Sequence, residues 1–277
     1  MRVLKVLALF GLLLTSTSSA QARHRWFFSS PARHVVLLTH GLNMKPAAMD
    51  ALAVALQNQN MDVLRVALSG HNNDLDVFKA ATRLQWIREI DDARQEAQEH
   101  ARGKNLPLSL VGYSIGALLS LDLMETSEHP RPPFHRMVLL APALELRDRS
   151  KWIKLLGWLG DETTLPSKSP PAYRAHPATP LAGYKALLKS YEILKENGIH
   201  RLSKVPTLIL VDPKDELVSP KGLQEGISHL PYWSLETIEK TQAPLKPNFH
   251  HLMVDEASLG SAAWTQLRQR INQHLTD

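Results

Sequence analysis

Apolar residues recur along this chain at two alternating periods. Short runs rich in leucine and β-branched residues are apolar on both faces, as in "HVVLLT" (34–39), "MDVLRVAL" (61–68), "LPLSLVGY" (106–113), "MVLLAPA" (137–143), "VPTLILVD" (205–212) and, more weakly, "YWSLETIE" (232–239). Runs of that length and composition predict buried strands. Between them apolar positions repeat every three to four residues, predicting helices over "KPAAMDALAVALQNQN" (45–60), "IGALLSLDLMET" (115–126), "PKGLQEGISHL" (220–230) and "SAAWTQLRQRINQHL" (261–275). A long amphipathic helix is expected over 75–102, with Leu84, Ile87, Ile90 and Ala97 or Ala101 near one buried face. Strands buried on both faces and alternating with helices belong to one architecture: an α/β fold with a mostly parallel central sheet flanked by helices on both faces.

Two segments break the rhythm. Residues 146–204 separate two core strands by more than an ordinary connection allows. They join the apolar "WIKLLGWLG", the proline-rich "LPSKSPPAYRAHPATP" and the helical "LAGYKALLKSYEILKENG". The segment is expected to be a mostly helical cap over the sheet end where open α/β sheets bind ligands. The second is the amino terminus. Residues 1–22 carry a basic start (Arg2, Lys5), an apolar run from Val6 to Leu14, and the small-residue ending Ala20-Gln21-Ala22. That is the layout of an export signal with an apolar run about half as long as a membrane span needs, an uncleaved anchor being the alternative; residues 23–277 are expected to form the domain, in the periplasm or outside the cell.

Composition narrows the chemistry. The 277 residues are 44% hydrophobic and 21% charged, ordinary for a globular protein. Without cysteine there is no disulfide, no thiolate nucleophile and no thiolate metal site. Removing residues 1–22 lowers the net charge only from +5 to +3, too mild and too evenly spread for a nucleic-acid partner. No metal-binding spacing, dinucleotide fingerprint or phosphate loop is present, so no cofactor is expected.

Between the third strand and its helix stands Gly112-Tyr113-Ser114-Ile115-Gly116. A strand that turns into a helix within a few residues needs close backbone approach, which glycines at 112 and 116 permit. Ser114 is left at the tip with its hydroxyl exposed and a helix N-terminus behind it. Serine becomes a nucleophile only when a base takes its proton and an acid orients that base. After the strand "LILVD", Asp212 and Asp215 are candidate acids. Asp215 is preferred because it lies in the loop ahead of Ser219-Pro220, a good helix start; Glu145 is a distant third. "PNFHHLMVDE" supplies the candidate bases His250 and His251, with His251 preferred because it abuts the apolar "LMV". "THGLN" places His40 and Gly41 at the first strand's end, aiming the Leu42 N–H at the pocket; with the Ile115 N–H it would make an oxyanion hole.

These four landmarks, "HGLN", "GYSIG", "DPKDELV" and "HHLMVD", occur in the order found in the α/β-hydrolase superfamily, and over residues 34–275 the chain resembles it. It looks most like the compact bacterial carboxylesterases and monoacylglycerol lipases, which carry a helical cap at this insertion. The resemblance implies Leu42 and Ile115 as oxyanion donors and a serine hydrolase acting on a small-molecule ester or lipid. It departs from the pattern in two places. Asp212 stands where the family has a strand-ending glycine, and residues 23–33 are too few for the usual first hairpin, so the sheet should start one or two strands late. Thioester or peptide substrates for the same triad, and a non-catalytic binding protein, are the alternatives. In the cap, Trp152, Ile153, Leu155, Leu156, Trp158 and Leu159 are expected to pack the core, line an acyl pocket or touch a membrane surface transiently.

Overall fold

A computed structural model describes residues 24–127, 133–147, 160–241 and 248–277. Its sheet is built from the predicted apolar runs. The strands are β2 (His34–Thr39), β3 (Met61–Arg65), β4 (Leu108–Tyr113), β5 (Met137–Leu140), β8 (Thr207–Val211) and β9 (Trp233–Thr237). All six run parallel to one another. β3, β4, β5 and β8 are buried along their whole length, as strands covered on both faces must be. One short strand, β1 (Arg25–Phe27), pairs antiparallel with β3, giving the order β1-β3-β2-β4-β5-β8-β9. A single antiparallel edge strand thus stands where a hairpin was missing.

The helices are α1 (Asp50–Gln57), α2 (Leu75–Lys79), α3 (Arg83–Lys104), α4 (Ile115–Thr126), α5 (Leu181–Asn197), α6 (Pro220–Ile227), α7 (Glu256–Leu259) and α8 (Ser261–Thr276). The long helix expected over 75–102 is therefore two helices. Thr82 adopts an extended conformation and its side chain accepts the Gln85 N–H, which caps α3 and forces the break. Starting α3 there also sets its phase. The stripe that faces the core is Trp86, Ile90, Ala93, Ala97 and Ala101, whereas Leu84, expected inside, is 57% exposed. Trp86 fills the space instead, its indole N–H donating to the Ser69 carbonyl.

The described part of the insertion between β5 and β8 resumes at residue 160. β6 (Thr164–Pro166) and β7 (Ala178–Pro180) form a small antiparallel pair, and α5 then packs against α4. The export signal and the apolar cap residues from Trp152 to Leu159 lie outside the described residues. Among the described residues no helix is long and apolar enough to cross a membrane.

One buried ion pair fixes the helix behind Ser114. Asp122 of α4 is fully buried, and Arg83 at the start of α3 grips both its oxygens at 2.7 and 2.6 Å. Removing the guanidinium strands a buried charge, which costs about 3–5 kcal/mol. Arg83→Ala is therefore expected to lower unfolding free energy by about that amount in urea denaturation, while Leu84→Ala stays within about 0.5 kcal/mol of the parent.

Candidate active site

The loops leaving β2, β4, β8 and β9 all emerge at one edge of the sheet, and each contributes to one cavity. The tightest is the turn after β4. Ser114 sits at φ 53°, ψ −117°, a conformation costly for a side chain with a Cβ. Neighbouring backbone holds it there: the Ser114 N–H donates to Leu140 at the end of β5, and the Ser114 carbonyl accepts from Ala143. The flanking glycines are required by distance. A Cβ on Gly112 would lie 2.8 Å from the Ala117 Cα, and one on Gly116 2.5 Å from the His40 carbonyl oxygen.

Ser114 is 7% exposed and meets the predicted partners. Its Oγ lies 2.9 Å from His251 Nε2, and His251 Nδ1 lies 2.8 Å from Asp215 Oδ2. A carboxylate facing Nδ1 fixes the tautomer: Nδ1–H donates to Asp215, leaving the Nε2 lone pair to accept the serine proton. Asp215 Oδ1 accepts the N–H groups of Leu217 and Val218, each at 2.8 Å, so the carboxylate cannot swing. Burial acts to raise the Asp215 carboxyl, but His251 and these hydrogen bonds outweigh it and hold it below the usual value. For His251 burial acts to lower the imidazole, and the Asp215 and Glu216 carboxylates outweigh it and hold it above the ordinary histidine value.

The two alternatives named from the sequence lie beside each other, away from Ser114. Asp212 accepts the N–H groups of Lys214 and Lys240, both at 2.8 Å, which ties the ends of β8 and β9 together. His250 Nδ1 lies 3.1 Å from Asp212 Oδ1. Among the described residues neither bonds to Ser114. Glu145 is paired with Lys195 of α5.

His40 is a brace. Its Nδ1–H donates to the Gly41 carbonyl at 2.9 Å and its Nε2 accepts the Leu68 N–H at 3.1 Å. Burial pushes its pKa down to about 4, so the ring is neutral and serves no proton. Gly41 is needed because a Cβ there would meet the Tyr113 ring at 2.7 Å. Leu42 lines the cavity with Ser114, and Ile115 is the first residue of α4. Among the described residues no acceptor engages either N–H.

Four residues that bind the site together were not singled out in the sequence. Asn43, at φ 51°, donates to the His176 carbonyl and the Thr179 hydroxyl and accepts the His176 N–H, all at 2.9 Å, fastening the loop after β2 to the insertion. Arg147 Nε donates to the Asp215 carbonyl at 2.6 Å. The Tyr113 hydroxyl donates to the His251 carbonyl at 3.0 Å, and burial holds its phenol protonated well above the usual range. Glu216 Oε2 accepts the N–H groups of His250 and His251. Only the left-handed loop position of Asn43 leaves a local sequence signal. The cavity itself, about 340 Å³, is walled beside Ser114 and His251 by Leu146, Leu165, Leu187, Leu188 and Phe249. Among the described residues no cluster of three or more His, Asp or Glu is placed to hold a metal ion.

The glycine distances give a direct expectation. Gly116→Ala puts a methyl against fixed backbone and should destabilise the fold by about 2–3 kcal/mol with loss of any Ser114-dependent activity, whereas Gly103→Ala on the open surface of α3, where a Cβ meets nothing within 4 Å, should be neutral or stabilising in a thermal melt.

Comparison with known proteins places the fold. The fold is shared with a metagenome-derived lipolytic enzyme at 22% identity and TM-score 0.70, over 91% of this chain and 97% of that one. It is also shared with a soluble variant of monoglyceride lipase from Saccharomyces cerevisiae solved with a substrate analogue, at 14% identity and TM-score 0.73, over 92% of each chain. A thermostable carboxyl esterase from Bacillus coagulans in complex with glycerol gives TM-score 0.64 at 11% identity, over 91% and 94%. No curated protein sequence matches the chain. The family model described as serine aminopeptidase S33 matches residues 30–256. That match spans most of the chain, and the protein therefore belongs to the serine aminopeptidase S33 family of α/β hydrolases.

Proposed function

We propose that the protein is a serine hydrolase of carboxylic esters, with Ser114 as nucleophile, His251 as base and Asp215 as the group that orients it. The observation that carries this reading is the unbroken hydrogen-bond path from Asp215 through His251 to the Ser114 Oγ at the wall of an apolar cavity. Ser114 attacks the ester carbonyl while Nε2 of His251 takes its proton. The carbonyl oxygen, gaining charge, turns to the N–H groups of Leu42 and Ile115, donors that cost no reorganisation when the charge develops. His251 then returns the proton to the leaving alcohol. Water, deprotonated in turn by His251, attacks the acyl-serine and releases the acid.

The cavity walls favour an ester with an apolar acyl or lipid-like part over a charged substrate. The matched family's description raises the second reading, hydrolysis of peptides with a free N-terminus. That chemistry needs carboxylates in the insertion to cradle an ammonium group; of the candidates there, Asp161 and Glu162, Asp161 is paired with Lys185 and neither lines the cavity. The reading also keeps residues 1–22 as an export signal and the insertion as a surface for brief membrane contact. N-terminal sequencing of the secreted or periplasmic protein should begin at Arg23.

A panel of p-nitrophenyl esters from acetate to palmitate, set beside aminoacyl p-nitroanilides, tests the substrate class. Ester turnover should exceed anilide turnover, and Ser114→Ala or His251→Ala should lower kcat about 10⁴-fold with the melting temperature retained. Preferred cleavage of the anilides would sink the ester reading. The pH dependence has a fixed sign. The base works only when neutral and its value is held above that of a free histidine, so kcat/KM should fall as pH drops, with the midpoint above about 6.5.

A further inference from the structure

Glu216 occupies an unusual position for a carboxylate. It follows Asp215 in the chain, lines the cavity with Ser114 and His251, and offers Oε2 to the N–H of His250 at 2.9 Å and of His251 at 3.2 Å. Its Oε1 is buried and, among the described residues, has no hydrogen-bond partner. An unpartnered carboxylate oxygen costs stability. An amide could take the same two N–H groups at lower cost, so the geometry asks what the charge is for.

We propose that Glu216 is the second carboxylate of the site, a positioning residue that clasps the backbone of His251 and stabilises the imidazolium formed when Ser114 gives up its proton. The inference rests on the triad reading above. Asp215 approaches His251 from the ring's Nδ1 side, and Glu216 approaches from the backbone side. The imidazole thus faces negative charge from two directions, and the burial of His251 itself makes those charges felt more strongly than in open water.

The surrounding groups leave that field intact. From β4, Tyr113 presents a neutral phenol to the His251 carbonyl, and Ser114 presents its hydroxyl. On the histidine's own loop, His250 leans on Asp212, and Asp255 accepts the Tyr173 hydroxyl from the insertion. From the end of β9, Lys240 Nζ donates to the Phe249 carbonyl at 2.6 Å, and burial draws its ammonium below the usual lysine value. From the start of the insertion, Arg147 spends its Nε on the carbonyls of Asp215 and Val218. Burial lowers the imidazole, and Glu216 is among the charges that lift it back above its ordinary value.

Labelling of Ser114 by a fluorophosphonate reads this directly, because its rate follows the neutral fraction of His251 whatever the natural substrate. Rates should be compared between about pH 5 and 9 for the wild-type protein, Glu216→Gln and Glu216→Asp. Glu216→Gln keeps the acceptor and removes the charge. Its acid limb should move down by about half to one pH unit, so that below the limb it labels ~3- to 10-fold faster relative to its own plateau than the wild type does, with a melting temperature equal or higher. Glu216→Asp keeps the charge and should hold the limb near its wild-type position while losing plateau rate. The inference is overturned if Glu216→Gln leaves the limb unmoved, if both variants move it alike, or if Glu216→Gln melts well below the wild type, since the charge would then serve the fold. If the wild type is labelled with a clear limb, the triad reading survives any of those results; if Ser114 is not labelled at all, both fall together.

Discussion

The close approach of α4 to the ends of β2 and β4 is the constraint from which the site follows. Only at glycine separation can the helix start directly above the strand, and the Cβ distances at Gly112 and Gly116 leave no room for anything larger. That approach has a cost, concentrated in the positive φ of Ser114. Hydrogen bonds from both sides of the turn to β5 and the residues after it hold the strained serine in place. Strain of this kind persists only where the surroundings over-determine it. Here they set a hydroxyl at the N-terminus of α4 with the imidazole of His251 within hydrogen-bond reach.

The insertion is tied to every part of this arrangement. Asn43 laces it to the loop that carries Leu42, Arg147 to the Asp215 loop, and Tyr173 through Asp255 to the loop of His251. Gly183 of α5 completes the seam, since a Cβ there would meet Leu42 Cδ1 at 3.0 Å. Held at these points, the insertion shapes the cavity beside Ser114 and His251.

How much of this is legible in the sequence follows from how local each signal is. The elbow is local: strand, glycine, serine, glycine and helix lie within a dozen residues, and Ser114 can be read from them. The partners are legible by order along the chain, yet Asp212 and Asp215 lie three apart and His250 and His251 are adjacent. Pattern preferred one of each, and the folded chain uses both sets, Asp215 with His251 and Asp212 with His250. The break between α2 and α3 was hidden because Thr82 reads equally well as a helix interior or a cap. The β6–β7 pair was hidden because prolines at its edges look like loop. The roles of Arg147 and Glu216 exist only through space, in contacts with residues far along the chain.

The central claim is that one hydroxyl, that of Ser114, is the group activated for attack. Peptide mapping by mass spectrometry after treatment with a stoichiometric fluorophosphonate tests it most directly. The account predicts a single adduct on the peptide carrying Ser114, absent when Asp215 and His251 are both replaced by alanine in a protein that still folds. An adduct on another residue, or none on the folded wild-type protein, would contradict it.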